Sequence, residues 1–299
     1  MQGRNGAPGE VSFPSGEERA ALGLGTWRLG EDAALAAAEV RALRLALDIG
    51  YRVFDSAEMY AQGGAETVLG RALADAVLHG IAREALFVVS KVLPENASPG
   101  GVEAACERSL RRLRLDHIDL YLLHWRGAVP LADTVHGFER LQRRGLIRMW
   151  GVSNFDLDDM RELVAVPGGA SCAANQVHYS LSQRGVEWDL LPWQRLQQMP
   201  LMAYSPIDQG ALVEHPALRP IAERHRVTPA QVALAWVLRK VSVGPGSRQG
   251  GVMAIPKAGS AVHLRHNWAA ASLTLGEADL AALDLAFAPP GRKQALSMR

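Results

Sequence analysis

The chain is short of cysteine, of aromatic side chains and of any excess of one charge. Its 299 residues include two cysteines and 6% aromatics, and the formal net charge is +1. Cys106 and Cys172 lack CxxC spacing and are too few for a structural zinc site. They read as small buried hydrophobes, one in a predicted helix and one in a predicted strand. With 32 basic and 31 acidic residues interspersed, no single-sign field addresses a nucleic acid backbone. No stretch reaches the roughly 18 apolar residues of a membrane span. The start shows no basic segment leading into an apolar one, so the expected compartment is the cytoplasm. A phosphate-binding Walker loop is missing. The segment GLGTWRLG also lacks G-x-G-x-x-G spacing and a helix opening at once behind it, which weakens the alternative of a doubly wound open sheet.

What is present is material for a large core, since 48% of the residues are hydrophobic and only 21% charged. Short apolar runs, of the kind buried on both faces, end near Gly25, Asp55, Lys91, His124, Val152, Gln176, Tyr204 and Pro256. Helical segments separate them. From Ala36 a stripe of Ala36, Val40, Leu43 and Leu47 ends at Gly50. Ser98 and Pro99 read as a cap and first helical residue before Val102, Cys106, Leu110 and Leu113. Thr228, Pro229 and Gln231 read as a capping box. Strands alternating with helices in this way predict an α/β fold, a (β/α)8 TIM barrel, in a single domain over 1–299 with its core at about 20–270. The VSFPSGEERAAL segment predicts an accessory N-terminal β-hairpin. Two helices are predicted after the seventh strand, around Leu218 to His225 and Pro229 to Leu238, and another after the barrel in LTLGEADLAALDLAF. VSVGPGSRQGG reads as a glycine-rich loop before the last strand.

In such a barrel the chemistry gathers at the C-terminal ends of the strands. Asp55, Tyr60, Lys91 and His124 all fall there. A phenol keeps its proton at neutral pH, and a neighbouring ammonium eases proton exchange by favouring phenolate. Asp55 would balance that ammonium, and His124 could hydrogen-bond a carbonyl oxygen. Each residue also has a plain structural role open to it: Asp55 as a turn cap, Tyr60 as a packing residue, His124 and Lys91 as satisfied strand ends. Their joint placement favours polarisation and protonation of a carbonyl.

The same ends carry Ser153, Asn154 and Phe155, then Asn175 and Gln176, then Tyr204, Ser205 and Pro206. Their amides and hydroxyls offer the donors and acceptors a carboxamide needs, and an aromatic face could support a planar ring. The competing structural roles make Asn154 the cap of the next helix and Tyr204 core. Lys257 precedes a predicted helix start, a chemically sensible phosphate site. His263 and Asn267 follow on that helix, facing either an adenosine phosphate or plain solvent. Trp27 and Trp125 could wall an apolar pocket.

These segments, GLGTW, GYRVFDSAEMYAQGGAE, VVSK, YLLHW, IRMWGVSNF, NQVHYSLSQRGVEWDLLPW, MAYSP and IPKAG, resemble the aldo-keto reductase family, and especially its bacterial methylglyoxal reductase-like members. The resemblance implies NAD(P)H-dependent reduction of aldehydes, ketones or small 1,2-dicarbonyls, with a cofactor bound extended across the barrel mouth and no metal. It assigns catalysis to Asp55, Tyr60, Lys91 and His124. Gly25, Thr26 and Asp55 join the cofactor contacts, with Ser153, Asn154 and Gln176 at the carboxamide and Tyr204 stacked on nicotinamide. Ser205, Pro206, Ile207, Gln209 and Gly210 clasp the pyrophosphate, and Lys257, Ala258, His263 and Asn267 meet the adenosine end. Trp27, Tyr60, His124 and Trp125 form the substrate pocket. Three departures stand out: Ala258 where relatives often have Ser, His263 where they have Arg, and Ala65-Glu66 where many have Asn-Glu. NADPH is favoured through Lys257, with Ser260 a candidate to compensate for Ala258 and NADH left open. The expected partner is a small carbonyl compound, with no metal, nucleic acid or membrane, and a monomer is the family default. Two rivals stand beside this reading. One is an NADPH-binding regulatory or structural barrel with little turnover, and the other a metal-dependent hydrolase or isomerase, disfavoured for want of a close His/carboxylate pair.

Overall fold

A computed structural model describes residues 8–239 and 251–298 of the chain. The glycine-rich segment 241–251 lies outside them except for Gly251. Two compact units are present, one of residues 24–175 with 257–259, the other of the remaining segments.

The chain opens with the expected hairpin: strands β1 (Glu10–Ser12) and β2 (Glu18–Ala20) pair antiparallel. The unit of 24–175 then lays down β3 (Leu24–Gly25), helix α1 (Ala36–Ile49), β4 (Val53–Asp55), α2 (Gly64–Leu78), β5 (Phe87–Val92) and α3 (Pro99–Leu113). It continues with β6 (Ile118–Leu123), α4 (Leu131–Arg143), β7 (Ile147–Ser153) and α5 (Leu157–Ala165). Its strands pair in parallel, each with the next in the chain. Strand β8 (Asn175–His178) begins at this unit's edge. The other unit holds α6 (Leu190–Leu196), β9 (Leu201–Tyr204), α7 (Arg219–His225), α8 (Pro229–Val237), β10 (Val252–Ala254), α9 (Ala261–Ala270) and α10 (Glu277–Ala286). Here β9 and β10 pair in parallel, and Leu22 bridges to Ala254. In the first unit Gly25 likewise bridges in parallel to Lys257. Eight parallel strands in chain order with helices between them are a (β/α)8 barrel.

Local chemistry explains the elements. Central strands β5 and β6 are buried along their whole length, as apolar parallel strands between helices must be. Ser98 accepts from Gly101 N to cap α3, and Thr228 and Gln231 form the reciprocal capping box of α8. Gly50 ends α1 at φ 127°, with Leu43 and Leu47 buried beneath it.

Two sequence expectations shift. Strand β8 begins at Asn175 rather than ending near Gln176, and Cys172 precedes it outside any strand. Ala173 N and Ala174 O already bond to β7, at Trp150 O and Val152 N, so the shift is one of strand boundary. Both cysteines are buried, and burial pushes each thiol up to about 12, which leaves them unreactive.

Candidate active site

Strand β4 delivers Asp55 at its last residue, and Thr26 fixes that corner by donating its backbone N–H and its hydroxyl to Asp55 O at 2.9 and 3.0 Å. Five residues on, Tyr60 begins a tight turn in which Ala61 and Gln62 take φ of 49° and 53° and Gly63 takes 89°. Strand β5 brings Lys91 to the same place with its side chain fully buried. The ammonium donates to Asp55 Oδ1 at 2.7 Å, to Ser56 O at 2.9 Å and to Tyr60 Oη at 3.2 Å. An ammonium has three N–H donors, and these three acceptors use them all. Because Tyr60 Oη accepts from Lys91, its own O–H must point elsewhere. The geometry therefore aims a phenolic proton away from the ammonium.

His124, directly after β6, places its ring 5.8 Å from that of Tyr60 in an edge-on arrangement, and Trp125 packs 4.8 Å from His124. Burial, helped by the Lys91 charge, lowers the imidazole to about 2, so His124 is neutral at any working pH. Its Nδ1 is buried without a hydrogen-bond partner among the described residues. Burial works against the Lys91 charge, but Asp55 and Tyr60 outweigh it and hold the ammonium above an ordinary lysine. Burial raises Tyr60 above an ordinary phenol, with Lys91 pulling the other way. The sequence leads one to expect Lys91 to favour phenolate; here desolvation of the ring is the larger effect, and the protonated phenol prevails. The four groups thus make a proton donor held in its acid form, a fixed positive charge behind it and a neutral imidazole beside it.

The remaining residues singled out in the sequence divide between the two units. In the unit of the four, Asn154 takes φ 60° and donates its amide to His124 O at 3.1 Å and to Ser153 Oγ at 3.2 Å. It does not cap α5, a role Asp156 fills by accepting from Asp158 N and Asp159 N. Asn175 donates its amide to Phe155 O at 2.8 Å and so braces the same loop. Trp27 is 37% exposed and carries the Arg28 guanidinium 4.5 Å from its ring centre, presenting an aromatic face to solvent.

In the other unit, His178 and Tyr204 stack with ring centres 5.4 Å apart and planes 13° from parallel, and His178 Nδ1 lies 3.0 Å from Ser297 Oγ. Sequence reasoning missed this use of His178; its position two residues after Gln176 on β8 was the available signal, because alternate residues of a strand share a face. Beyond Tyr204, Ser205, Asp208, Gln209 and Gly210 all have positive φ, and a Cβ at Gly210 would project into open space. Such a turn leaves backbone open to the close approach of a phosphate. Ser260 caps α9 by accepting from His263 N, which leaves its own O–H as a donor. His263 is exposed while Asn267 is buried, so the two do not share a solvent face.

Within the unit that holds them, the His178–Tyr204 stack offers a planar-ring platform and the 205–210 turn offers backbone to an anion, donor types that fit parts of a dinucleotide. Among the described residues no group of three or more His, Cys, Asp or Glu side chains could hold a metal ion.

Comparison with known proteins agrees with this arrangement. The aldo/keto reductase family matches residues 21–286. Methylglyoxal reductase YeaE of Escherichia coli is 49% identical over 297 residues, 97% of this chain and 96% of that one. Glyoxal reductase of Bacillus subtilis is 36% identical over 83% of this chain and 81% of its own. A crystal structure of an aldo/keto reductase from Klebsiella pneumoniae, in complex with NADP and acetate, superposes with a TM-score of 0.90 at 44% identity, covering 97% of this chain and 99% of that one. The chain belongs to the aldo/keto reductase family, oxidoreductases whose (β/α)8 barrel it shares.

Proposed function

We propose that this chain reduces small aldehydes, ketones and 1,2-dicarbonyls such as methylglyoxal, using NADPH, with Tyr60 as the proton donor. The observation that carries the reading is the Lys91 ammonium donating to Tyr60 Oη, which leaves the phenolic proton directed outward. Bound NADPH would supply the hydride for the carbonyl carbon. Tyr60 gives its proton to the carbonyl oxygen as negative charge grows there, and Lys91 stabilises the phenolate left behind. Asp55 keeps the buried ammonium charged and in place. Neutral His124 orients the oxygen by hydrogen bonding.

Ser153 and Asn154, tied to His124, and Gln176 are assigned to the carboxamide, and Tyr204 to the nicotinamide face. Gly25 and Thr26 line the corner beside Asp55. Ser205, Pro206, Ile207, Gln209 and Gly210 are assigned to the pyrophosphate, with Lys257, Ala258, His263 and Asn267 at the adenosine end. The exposed Lys257 is the group that favours a 2′-phosphate. Trp27 and Trp125 suit a small or planar substrate. The reading takes the chain as a monomeric, single-domain, metal-free enzyme of the cytoplasm; no described helix is long and apolar enough to cross a membrane.

The test is consumption of NADPH and of NADH, in parallel, across a panel of carbonyl compounds that includes methylglyoxal. Turnover with NADPH on methylglyoxal and simple aldehydes is expected, with NADH the poorer donor. Tight NADPH binding without turnover anywhere on the panel would favour the regulatory alternative instead.

A further inference from the structure

Two buried carboxylates bracket Tyr60 in the chain, Glu58 two residues before it and Glu66 six after, and neither touches the four reacting groups. Both are gripped from helix α3. Arg112 Nε donates to Glu66 Oε2 at 2.6 Å, and Arg108, one turn earlier on the same face, reaches Glu58 Oε2 at 3.4 Å. Glu66 is completely buried, and its second oxygen accepts from Ser90 Oγ at 2.5 Å. Ser90 precedes Lys91 on β5, so on a pleated strand its side chain leaves the opposite face to that of the ammonium.

Arg112 does a second thing. Its side chain lies so close beneath Gly63, the last residue of the Tyr60 turn, that a Cβ there would run into it. Gly63 stands at φ 89°, following two residues already in left-handed conformations. Such a run is costly for residues with a Cβ and persists only where its surroundings impose it. The guanidinium and stem of Arg112 are part of those surroundings. Glu58 supplies an independent anchor on the other side: its Oε1 accepts from Leu93 N and Asn96 Nδ2 at 2.8 and 2.9 Å, and its backbone N–H donates to Lys91 O at 3.2 Å.

We infer that Arg112 and Glu66, with Ser90, are positioning residues for catalysis: from outside the site they set the Tyr60 turn against the strand that carries Lys91. A buried ion pair contributes little net stability over an apolar substitute, and in some proteins it serves instead to fix one arrangement of the elements it joins. Here those elements are the turn of the proton donor, the strand of its ammonium and the helix behind both. The inference rests on Tyr60 acting as the donor.

The test compares Arg112→Met, which keeps the stem and loses the charge, with Arg112→Lys, which restores a charge for Glu66. Arg144→Met serves as a control for general loss of an ion pair on α3, because Arg144 binds Glu103 and Glu107 on that helix away from Glu66. Thermal midpoint, NADPH dissociation constant by fluorescence, KM and kcat on methylglyoxal are read for each. Arg112→Met should lower kcat by about tenfold or more at a nearly unchanged NADPH dissociation constant and KM. Arg112→Lys should regain most of that loss, and Arg144→Met should keep the parental kcat. Where Arg112→Met does not fold, Glu66→Gln, which keeps both hydrogen-bonding partners and removes the charge, takes its place with the same expectation. Parental kcat in a folded Arg112→Met or Glu66→Gln protein overturns the inference, as does a loss that Arg144→Met reproduces. Tyr60→Phe run alongside separates the two levels: if it turns over normally, the donor assignment fails, and if it is inactive while a folded Arg112→Met protein keeps the parental kcat, the positioning role alone fails.

Discussion

At the scale of residues the site is an exercise in moving protons with buried groups. Asp55, Tyr60 and Lys91 would each be costly to bury alone, and the three bonds of the Lys91 ammonium make them affordable together. His124 is treated differently, being kept neutral by burial and by the Lys91 charge. The sign of the resulting pH dependence follows from a folded-state value lowered from 6.5 to about 2. Above the ordinary histidine value both states are neutral, and the stability associated with His124 is intact. As pH falls below it the unfolded chain takes up a proton that the folded chain refuses, and stability declines, by about 2 kcal/mol by roughly pH 5. Denaturant titrations of the parent and of His124→Gln between pH 7 and pH 5 check this, and the variant should lose that part of the slope. An equal slope in both proteins would mean that His124 does not resist protonation.

At the scale of elements, close backbone approach does what the sequence pattern only hints at. Gly30, at φ 75°, lies against Gly64, the first residue of α2, so the turn bearing Trp27 and Arg28 is seated directly on the turn bearing Tyr60. Gly64 has ordinary helical angles, so alanine there meets no backbone strain. Its Cβ would, however, meet Gly30 O at 2.7 Å, and overpacking of that kind costs about 1–3 kcal/mol. Gly64→Ala should therefore lower the thermal midpoint and raise KM for carbonyl substrates more than it changes NADPH affinity, which thermal melts and steady-state kinetics measure together. Periodicity and capping residues made the strands, the cap of α3, the box of α8 and the hairpin readable in advance. The Asn154 turn was not, because the folded backbone takes the cap of α5 from Asp156, two residues further on. The stacking of His178 on Tyr204 joins residues from different strands, a contact no local pattern encodes.

At the scale of the whole molecule, the clustering of Asp55, Tyr60, Lys91 and His124 was legible because the barrel rule converts strand order into spatial neighbourhood: residues far apart in sequence meet if each stands at or just beyond the C-terminal end of its strand. The direction of the Tyr60 shift was not legible, since it depends on how much of the ring the fold desolvates. The residues proposed for the adenosine end are only partly of the expected types: Lys257 is present, while Ala258 and His263 depart from the pair that relatives often carry. In the proposed function all of these features serve one event, transfer of the Tyr60 proton to a carbonyl oxygen during reduction. The most direct measurement is the single-turnover rate of methylglyoxal reduction by enzyme saturated with NADPH, in the parent and in Tyr60→Phe. A fall of about 10²–10⁴-fold with unchanged NADPH affinity is the expected result. A variant that reduces the substrate at close to the parental rate would contradict the account.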